Sequence, residues 1–197
     1  MMLTVNQNCS YPLSSVLFTF ALDAEAADVF PAYNPLICGI GKVNATYHLL
    51  KAIGERRPSL IVNLGSAGSN YFPQGEVVCC THFIQRDMDV RGLGYRQYET
   101  PLSGLPPVIE YGLCMDGVPR AVCGTGDNFE MAHAATGYHV VDMEAYAIAL
   151  VAMKENIPFL CLKYISDGAD GNAAADWTVR VHRAAVAFGN VLKLVSR

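Results

Sequence analysis

Six acidic residues stand where apolar segments of the chain give way to polar ones, and they are the first candidates for chemistry. They form three pairs along the chain, Asp23 with Glu25, Asp142 with Glu144, and Asp167 with Asp170. Each has a structural explanation when taken alone, because acidic groups favour helix N-termini and an Asp within Ser-Asp-Gly is typical of a turn. Glu144 is the hardest to explain as a solvated charge, since its neighbours Met143 and Ala145 are apolar.

Taken as a set, separated carboxyl groups favour the hydrolysis of a glycosidic bond. One carboxylate can orient or deprotonate a water molecule while another carboxyl group protonates the leaving group. The acid must keep its proton near neutral pH, so burial or neighbouring carboxylates must raise its pKa. The hypothesis requires that the fold gather side chains that are far apart in the sequence.

Short apolar runs alternate with helical patterns along most of the chain. Strands are predicted at residues 16–22, 36–40, 60–64, 76–84, 119–123 and 159–165, and helices at 43–53, 142–156 and 176–195. This alternation predicts an α/β fold, a single three-layer α/β/α domain with a mixed, mostly parallel central sheet. Ligands bind beyond the carboxyl ends of the strands in such sheets. Residues 23–25, 65–69, 124–127 and 166–170 should therefore meet at one edge.

The chain carries no repeat or linker-like stretch, so residues 16–197 are predicted to form one domain. Residues 1–15 are expected to be a disordered N-terminal tail. Residues 86–107 contain three Gly and three Pro and no regular pattern. An irregular segment of this length in a small domain is usually functional or covered by a partner.

Composition excludes several classes of protein. With 52% hydrophobic and 16% charged residues, the 197-residue chain is not intrinsically disordered. A net charge of −4 argues against a nucleic-acid partner. The apolar run at residues 16–22 is too short for a membrane span and wrongly flanked for a signal peptide, so no membrane partner is expected and the cytoplasm is the predicted compartment. The seven cysteines are expected to be reduced and mostly buried.

Common cofactor and metal motifs are missing from the sequence. The five histidines show no ligand spacing and no Cys/His cluster accompanies them, so neither a metal nor another cofactor is predicted. Gly39-Ile40-Gly41 is followed by Asn44 where a dinucleotide motif requires its third glycine. The segment Gly65–Gly68 either presents backbone N–H groups to a small ligand or forms a plain turn.

Seven short motifs together resemble the nucleoside phosphorylase/nucleosidase superfamily, and specifically the methylthioadenosine/S-adenosylhomocysteine nucleosidases. They occur in the family's order from about residue 16 to the C-terminus. The motifs are ALDAE at 21–25, GIGKVNA at 39–45, NLGSAG at 63–68, RDMD with LGY at 86–95, GDNF at 126–129, VDMEA at 141–145 and ISDGAD at 165–170.

The resemblance implies a role for each matching carboxylate. Glu25 corresponds to the residue that positions the attacking water, and Asp167 to the general acid that protonates the five-membered ring of adenine. Glu144 corresponds to the carboxylate that binds the ribose hydroxyls, with Met143 packed against the sugar. The family resemblance thus implies hydrolysis of 5′-methylthioadenosine or S-adenosylhomocysteine without a cofactor.

The same resemblance implies the remaining contacts of the substrate. Those residues are Ser66, Ala67 and Gly68 beside the ribose, Phe129 stacked on the purine, Glu130 through its main chain, and Leu93 and Pro101 in the neighbouring subunit's pocket. The implied assembly is an obligate homodimer with a small nucleoside as substrate.

Three positions depart from the family pattern, and other activities stay open. Glu130 stands where the family usually has an apolar residue, Lys163 where it commonly has Arg, and Leu93 where it commonly has an aromatic residue. The Glu130 side chain would bear on purine selection, and Lys163 on the orientation of Glu25, because Arg and Lys differ in geometry. Leu93 lies over the 5′ pocket, and together the three changes bear on the preferred 5′ substituent rather than on the reaction type. The alternatives are another purine nucleosidase, including one for futalosine-type nucleosides, a purine nucleoside phosphorylase of the same fold, or a nucleoside-binding protein without catalysis.

Overall fold

The apolar runs of the sequence form the strands of one curved sheet, with a separate hairpin at the N-terminus. A computed structural model describes residues 1–27, 29–129, 137–169 and 173–194, and the side chains of 173–181 are outside this description. The strands are β1 Met2–Asn6, β2 Cys9–Pro12, β3 Val16–Phe20, β4 Leu36–Ile37, β5 Leu60–Gly68, β6 Val77–Gln85, β7 Val108–Glu110, β8 Arg120–Thr125, β9 Val140–Asp142 and β10 Phe159–Asp167. The helices are α1 Asp23–Ala26, α2 Lys42–Glu55, α3 Ala145–Lys154 and α4 Ala173–Val191.

The central sheet has the strand order β10-β6-β8-β9-β5-β3-β4, with β7 paired to β6. Pairing is parallel for β3–β4, β3–β5, β5–β10, β6–β8 and β8–β9 and antiparallel for β6–β10, β6–β7 and β5–β9. The predicted mixed, mostly parallel sheet is confirmed. Because β10 pairs with both β6 and β5, five strands close into a ring, which the sequence did not reveal.

Two apolar cores lie on opposite faces of the sheet and create the three predicted layers. The alternation of side chains along β5 sends Ile61 to the core under α2 and α3, and Leu60 and Val62 to the core under α1 and α4. Strand β10 divides in the same way, with Cys161 in the first core and Leu162 in the second. Both strands are apolar on both faces, as expected for strands covered by helices on each side.

The N-terminal residues form structure rather than a disordered tail, so that expectation is wrong. Strands β1 and β2 pair antiparallel, and Leu3 and Val5 are buried in the core beneath α4. Leu3 and Val5 alternate with exposed Met2 and Thr4, so β1 has one apolar face. Burial of this face in the core stabilises the hairpin.

The region around Asp142 also differs from the prediction. Val140, Val141 and Asp142 pair with β8 as strand β9, and α3 begins only at Ala145 instead of at 142. Residues 86–107 are irregular as predicted, apart from one short 3₁₀ turn at Arg91–Leu93. In the described part of the chain, no helix combines the length and apolar character that crossing a membrane requires.

Candidate active site

A cavity of about 280 Å³ opens where the carboxyl ends of the strands meet. Its lining residues are Ala21, Leu22, Glu25, Ile40, Ser66, Ala67, Gly68, Arg86, Asn128, Phe129, Val141, Asp142, Met143, Glu144, Ser166 and Asp167. Three of the four polar segments predicted to converge contribute lining residues directly. The fourth, residues 124–127, leads into the lining residues Asn128 and Phe129. The expectation that ligands bind beyond the carboxyl ends of the strands therefore located the cavity correctly.

Glu25 is held on one side of the cavity by three donors. One carboxylate oxygen accepts hydrogen bonds from the backbone N–H of Ser66 at 2.8 Å and from its hydroxyl at 2.7 Å. The other oxygen accepts the backbone N–H of Leu22 at 3.2 Å. The side chain is buried within the short helix α1, so these contacts fix the direction in which the carboxylate faces the cavity.

Asp167 lies at the end of β10 and is also buried. Its Oδ2 accepts a hydrogen bond from the Ser166 hydroxyl at 2.8 Å, and its Oδ1 accepts the N–H of Ala169 at 2.9 Å. A Cβ atom on Gly68 would lie only 2.5 Å from Oδ1, so β5 needs glycine at this position. Ser66 and Gly68 are two residues apart on β5, roughly 7 Å, and thus place the two carboxylates side by side along one strand.

Asp142 is buried and paired with Lys163, whose ammonium group lies 2.8 Å from Oδ2. The same oxygen accepts the first N–H of α3, from Ala145, at 2.8 Å, so the helix-start explanation of Asp142 is confirmed. Burial raises the pKa of Asp142, but Lys163 and the hydrogen bonds outweigh burial and the net shift is downward. Asp142 therefore carries the charge that balances Lys163.

The pKa of Glu144 is shifted upward, in the opposite direction to that of Asp142. Its Oε1 accepts the backbone N–H of Gly41 at 2.8 Å. Burial and the neighbouring charge of Asp142 raise the pKa of Glu144 to about 8. A carboxyl group in this state holds a proton at neutral pH and can both donate to and accept from hydroxyl groups.

Apolar side chains also line the cavity. Phe129 and Met143 line it, and Phe129 is 49% exposed, so its ring offers a surface at the mouth of the cavity. Arg86 donates to the side-chain and backbone oxygens of Asn128. Arg86 and Asn128 were not predicted from the sequence as site residues. Arg86 directly follows β6 and Asn128 lies three residues after the end of β8, so the expectation that ligands bind beyond the carboxyl ends of strands could have included both.

Two residues named from the sequence, Leu93 and Pro101, lie away from the cavity of this single chain. Leu93 is 75% exposed, Pro101 is half-buried, and neither lines the cavity. Glu130 lies outside the described residues. Among the residues that the structure describes, no group of three or more His, Cys, Asp or Glu side chains is arranged to hold a metal ion.

The chain is similar in sequence to known proteins. The sequence matches the Phosphorylase superfamily over residues 36–116 and 113–196. A 5′-methylthioadenosine/S-adenosylhomocysteine nucleosidase from Bacillus cytotoxicus is 31% identical over 163 residues, which is 70% of each chain. The nucleosidase of the same name from an Exiguobacterium species is 29% identical over 182 residues, covering 81% of this chain and 77% of that protein.

Solved structures of related fold add to this evidence. The nucleosidase of the same name from Helicobacter pylori superposes with a TM-score of 0.80 over 91% of this chain and 96% of that one, at 19% identity. The futalosine hydrolase of Helicobacter pylori gives a TM-score of 0.80 over 90% and 95%, at 18% identity. At these identities the superpositions support the fold, and the sequence matches decide the family. The chain belongs to the Phosphorylase superfamily and, within it, to the 5′-methylthioadenosine/S-adenosylhomocysteine nucleosidases.

Proposed function

We propose that the protein hydrolyses the N-glycosidic bond of 5′-methylthioadenosine, S-adenosylhomocysteine or both, releasing adenine and a thioribose. The observation that carries the proposal is that Glu25, Glu144 and Asp167 line one cavity together with the exposed ring of Phe129. The names of the relatives at 29–31% identity support this choice of substrates.

Glu25 is assigned to the attacking water. Its oxygens are oriented by Ser66 and Leu22, so the carboxylate is held in place for a water molecule at the anomeric carbon. As the bond from C1′ to the purine nitrogen breaks, positive charge develops on the ribose and the nearby carboxylate stabilises it. The water oxygen then bonds to C1′ and its proton passes to Glu25.

Asp167 is assigned the role of the general acid that protonates the leaving purine. The electron pair of the broken bond moves onto the purine, and Asp167 donates a proton to a nitrogen of the five-membered ring. The Ser166 hydroxyl and the Ala169 N–H hold both oxygens of Asp167, so the acid stays aligned as the base departs. Protonation removes the negative charge that would otherwise build up on the base.

Glu144 and the apolar side chains of the cavity are assigned to substrate binding. Glu144 is proposed to bind the ribose hydroxyls, with Met143 packing against the sugar and Ser66, Ala67 and Gly68 forming the floor beside the ribose; all five line the cavity. Phe129 is positioned to stack on the purine. Glu130 is proposed to contribute main-chain contacts to the purine edge.

Water rather than phosphate is the proposed acceptor, because the surroundings of the anomeric carbon are acidic. The Glu25 carboxylate lines the cavity, and the nearby ammonium of Lys163 is already paired with Asp142. A phosphate dianion would need cationic groups or many N–H donors there. Adenine release from 5′-methylthioadenosine should therefore proceed in phosphate-free buffer containing EDTA, and strict dependence on phosphate would assign a phosphorylase instead.

Hydrolysis of a futalosine-type nucleoside is the second candidate, because the Helicobacter pylori futalosine hydrolase has the same fold. Parallel assays of 5′-methylthioadenosine, S-adenosylhomocysteine and futalosine, with the released base identified by chromatography, separate the two. We expect adenine from the thioadenosines at a kcat/KM at least tenfold above that for futalosine. Binding of all three without any product would leave only a nucleoside-binding protein.

A homodimer is proposed for the working enzyme. Val43, Tyr47 and Leu50 lie one turn apart on α2 and are 78%, 63% and 45% exposed, which creates an apolar stripe beside the cavity. The stripe supports an interface through which Leu93 and Pro101 would reach the neighbouring subunit's cavity and cover the 5′ substituent.

Light scattering should give about twice the 21.3 kDa chain mass for the native protein. Tyr47→Asp should shift the mass toward the monomer and lower kcat/KM at least tenfold. The matched control Val186→Asp changes an exposed apolar side chain on α4, in the other layer, and should leave the dimer intact. A fully active monomer would contradict the proposal of a homodimer.

We further propose that the enzyme is cytoplasmic and takes part in methionine salvage.

A further inference from the structure

The ammonium group of Lys42 lies between two carboxylates that come from distant parts of the chain. Its Nζ is 2.6 Å from Oδ2 of Asp87 and 3.0 Å from Oδ2 of Asp127. The Lys42 side chain is only 14% exposed. Lys42, Asp87 and Asp127, which we call the Lys42 clamp, thus connect the start of α2 with the segments that follow β6 and β8.

Each carboxylate of the clamp also holds a backbone group. Oδ1 of Asp127 accepts the N–H of Lys42, the first residue of α2, at 2.8 Å. Oδ2 of Asp87 accepts the N–H of Asp127 at 2.9 Å. The last ladder pair of β6 and β8 is Gln85 with Thr125, so these side-chain contacts continue the connection beyond the end of the sheet.

None of the three clamp residues lines the cavity, but each is next in sequence to a residue that acts there. Gly41 precedes Lys42 and donates its N–H to Glu144 at 2.8 Å. Arg86 precedes Asp87, and Asn128 follows Asp127, and both line the cavity beside Phe129. The clamp therefore lies directly behind the wall that would hold ribose and purine.

Close packing at Gly41 connects the clamp with the wall of the cavity. Gly41 has a φ of +88°, and a Cβ atom there would lie 3.1 Å from Oδ1 of Asp127. The Gly41 backbone is thus in contact with Asp127 on one side and hydrogen-bonded to Glu144 on the other. Displacement of Asp127 would shift the Gly41 N–H that donates to Glu144. It would also shift Phe129, which follows Asp127 by two residues.

We propose that Lys42 is a positioning residue for nucleoside binding, acting through Gly41 on Glu144 and through Asp127 on Phe129. This inference rests on the proposed nucleosidase function. The two carboxylates of the clamp are 29% and 45% exposed, and an ion pair whose carboxylate reaches solvent contributes little to global stability. The effect of losing the clamp should therefore be found in substrate binding rather than in folding.

The test compares Lys42→Met with Lys42→Arg and with Lys51→Met, which removes the same charge from an exposed position of the same helix. Lys42→Met should raise the KM for 5′-methylthioadenosine about tenfold while kcat changes less than about threefold. Lys42→Arg should recover most of the affinity, and Lys51→Met should match the wild type. Asp127→Asn, which keeps an oxygen for the Lys42 N–H, provides a second variant and should raise KM severalfold.

Hydrogen exchange without substrate supplies a readout that does not depend on activity. Exchange of the peptide covering residues 124–129 should be faster in Lys42→Met and unchanged in Lys51→Met, with a β10 peptide unchanged in both. Unaltered KM in Lys42→Met and Asp127→Asn would overturn the inference. If the wild type releases no adenine, the nucleosidase proposal fails, and hydrogen exchange alone then tests the clamp. Faster exchange at residues 124–129 in Lys42→Met supports the clamp, and unchanged exchange overturns it.

Discussion

At the scale of single residues, the two proposed catalytic carboxylates differ in the groups that hold them. Glu25 is bound by two backbone N–H groups and one hydroxyl, all of which come from other segments of the chain or from its own helix start. Asp167 is bound by its immediate neighbours, the Ser166 hydroxyl and the Ala169 N–H. In each of these hydrogen bonds the carboxylate is the acceptor, so both side chains have defined directions before any substrate binds.

Replacement of Asp167 by Asn should separate catalysis from binding. The amide cannot give a proton to the leaving base, and general acid catalysis contributes roughly 10²–10⁴-fold. We expect kcat for adenine release to fall by about that factor while calorimetric affinity for 5′-methylthioadenosine stays within about threefold. Asp116→Asn, at an exposed position, serves as the control. Turnover near the wild-type rate would remove Asp167 from the mechanism.

Glu144 should make stability depend on pH in a characteristic direction. Its pKa rises from the ordinary 4.5 to about 8 in the folded protein, because burial and Asp142 disfavour its charged form. Between these two values the folded state binds more protons than the unfolded state, so the contribution of Glu144 to stability falls as pH rises through this window. The contribution is fully present below about pH 4.5.

Urea unfolding of the wild type and of Glu144→Gln at pH 5.5 and pH 8 tests this. The Gln side chain is neutral and keeps an oxygen for the Gly41 N–H. Relative to the wild type, its free energy of unfolding should be higher at pH 8 than at pH 5.5, by an amount on the order of 1–3 kcal/mol. Parallel pH profiles for the two proteins would contradict the raised pKa.

At the scale of elements, the end of β5 organises the cavity. Ser66 reaches Glu25 and Gly68 borders Asp167, and both come from the face of the strand that is open to the cavity. Strand β10 lies parallel to β5, with Ile165 opposite Ala67, and a bulge before Asp167 brings this residue opposite Gly68. The relative position of the two carboxylates is thus set by the register of two adjacent strands.

Gly68→Ala should test this arrangement. The new methyl group would lie 2.5 Å from Oδ1 of Asp167 and 3.0 Å from Cβ of Ala169, so the acid must move. We expect kcat to fall at least tenfold in steady-state assays of adenine release. Gly54→Ala on α2, where a Cβ meets nothing within 4 Å, should retain activity and gain roughly 0.5–1 kcal/mol of stability. Full activity in Gly68→Ala would show that the acid tolerates displacement.

At the scale of the whole molecule, the domain is built from two cores separated by the sheet, and the N-terminal hairpin belongs to one of them. Leu3 and Val5 are 1% and 2% exposed in the core beneath α4. None of the described residues that line the cavity belongs to β1. Loss of hairpin packing should therefore lower stability without altering the chemistry directly.

Leu3→Ala should destabilise the protein by about 2–5 kcal/mol, as expected for a buried leucine truncated in a packed core. The matched control Met2→Ala, at a residue that is 54% exposed, should change the free energy of unfolding by no more than about 0.5 kcal/mol. Urea unfolding measures both, and KM at a temperature where both variants are folded should equal that of the wild type. Equal stability of the two variants would restore the hypothesis of a loose N-terminal tail.

Much of the fold could be predicted because apolar periodicity is a local property. The strands at Leu60–Gly68 and Phe159–Asp167 and the helix at Lys42–Glu55 were all expected within a few residues. The hairpin was missed because β1 is short and only two of its residues are buried apolar side chains. The closed ring was missed because it depends on β10 pairing with both β5 and β6, and periodicity does not specify strand partners.

By itself, the sequence determined most of the element types, the cavity's place beyond the strand ends and, through its motifs, the family; it also nominated Glu25, Glu144 and Asp167, all of which line the cavity. Only the tertiary structure decided the state of those carboxylates: Asp142 is charged beside Lys163, whereas the pKa of Glu144 is raised. It also decided that Lys42 meets Asp87 and Asp127. The physical reason is that electrostatic interactions depend on distance and burial in space. Asp142 and Lys163 are 21 residues apart along the chain, and Lys42 is 45 and 85 residues from Asp87 and Asp127, so the sequence does not show that these groups meet.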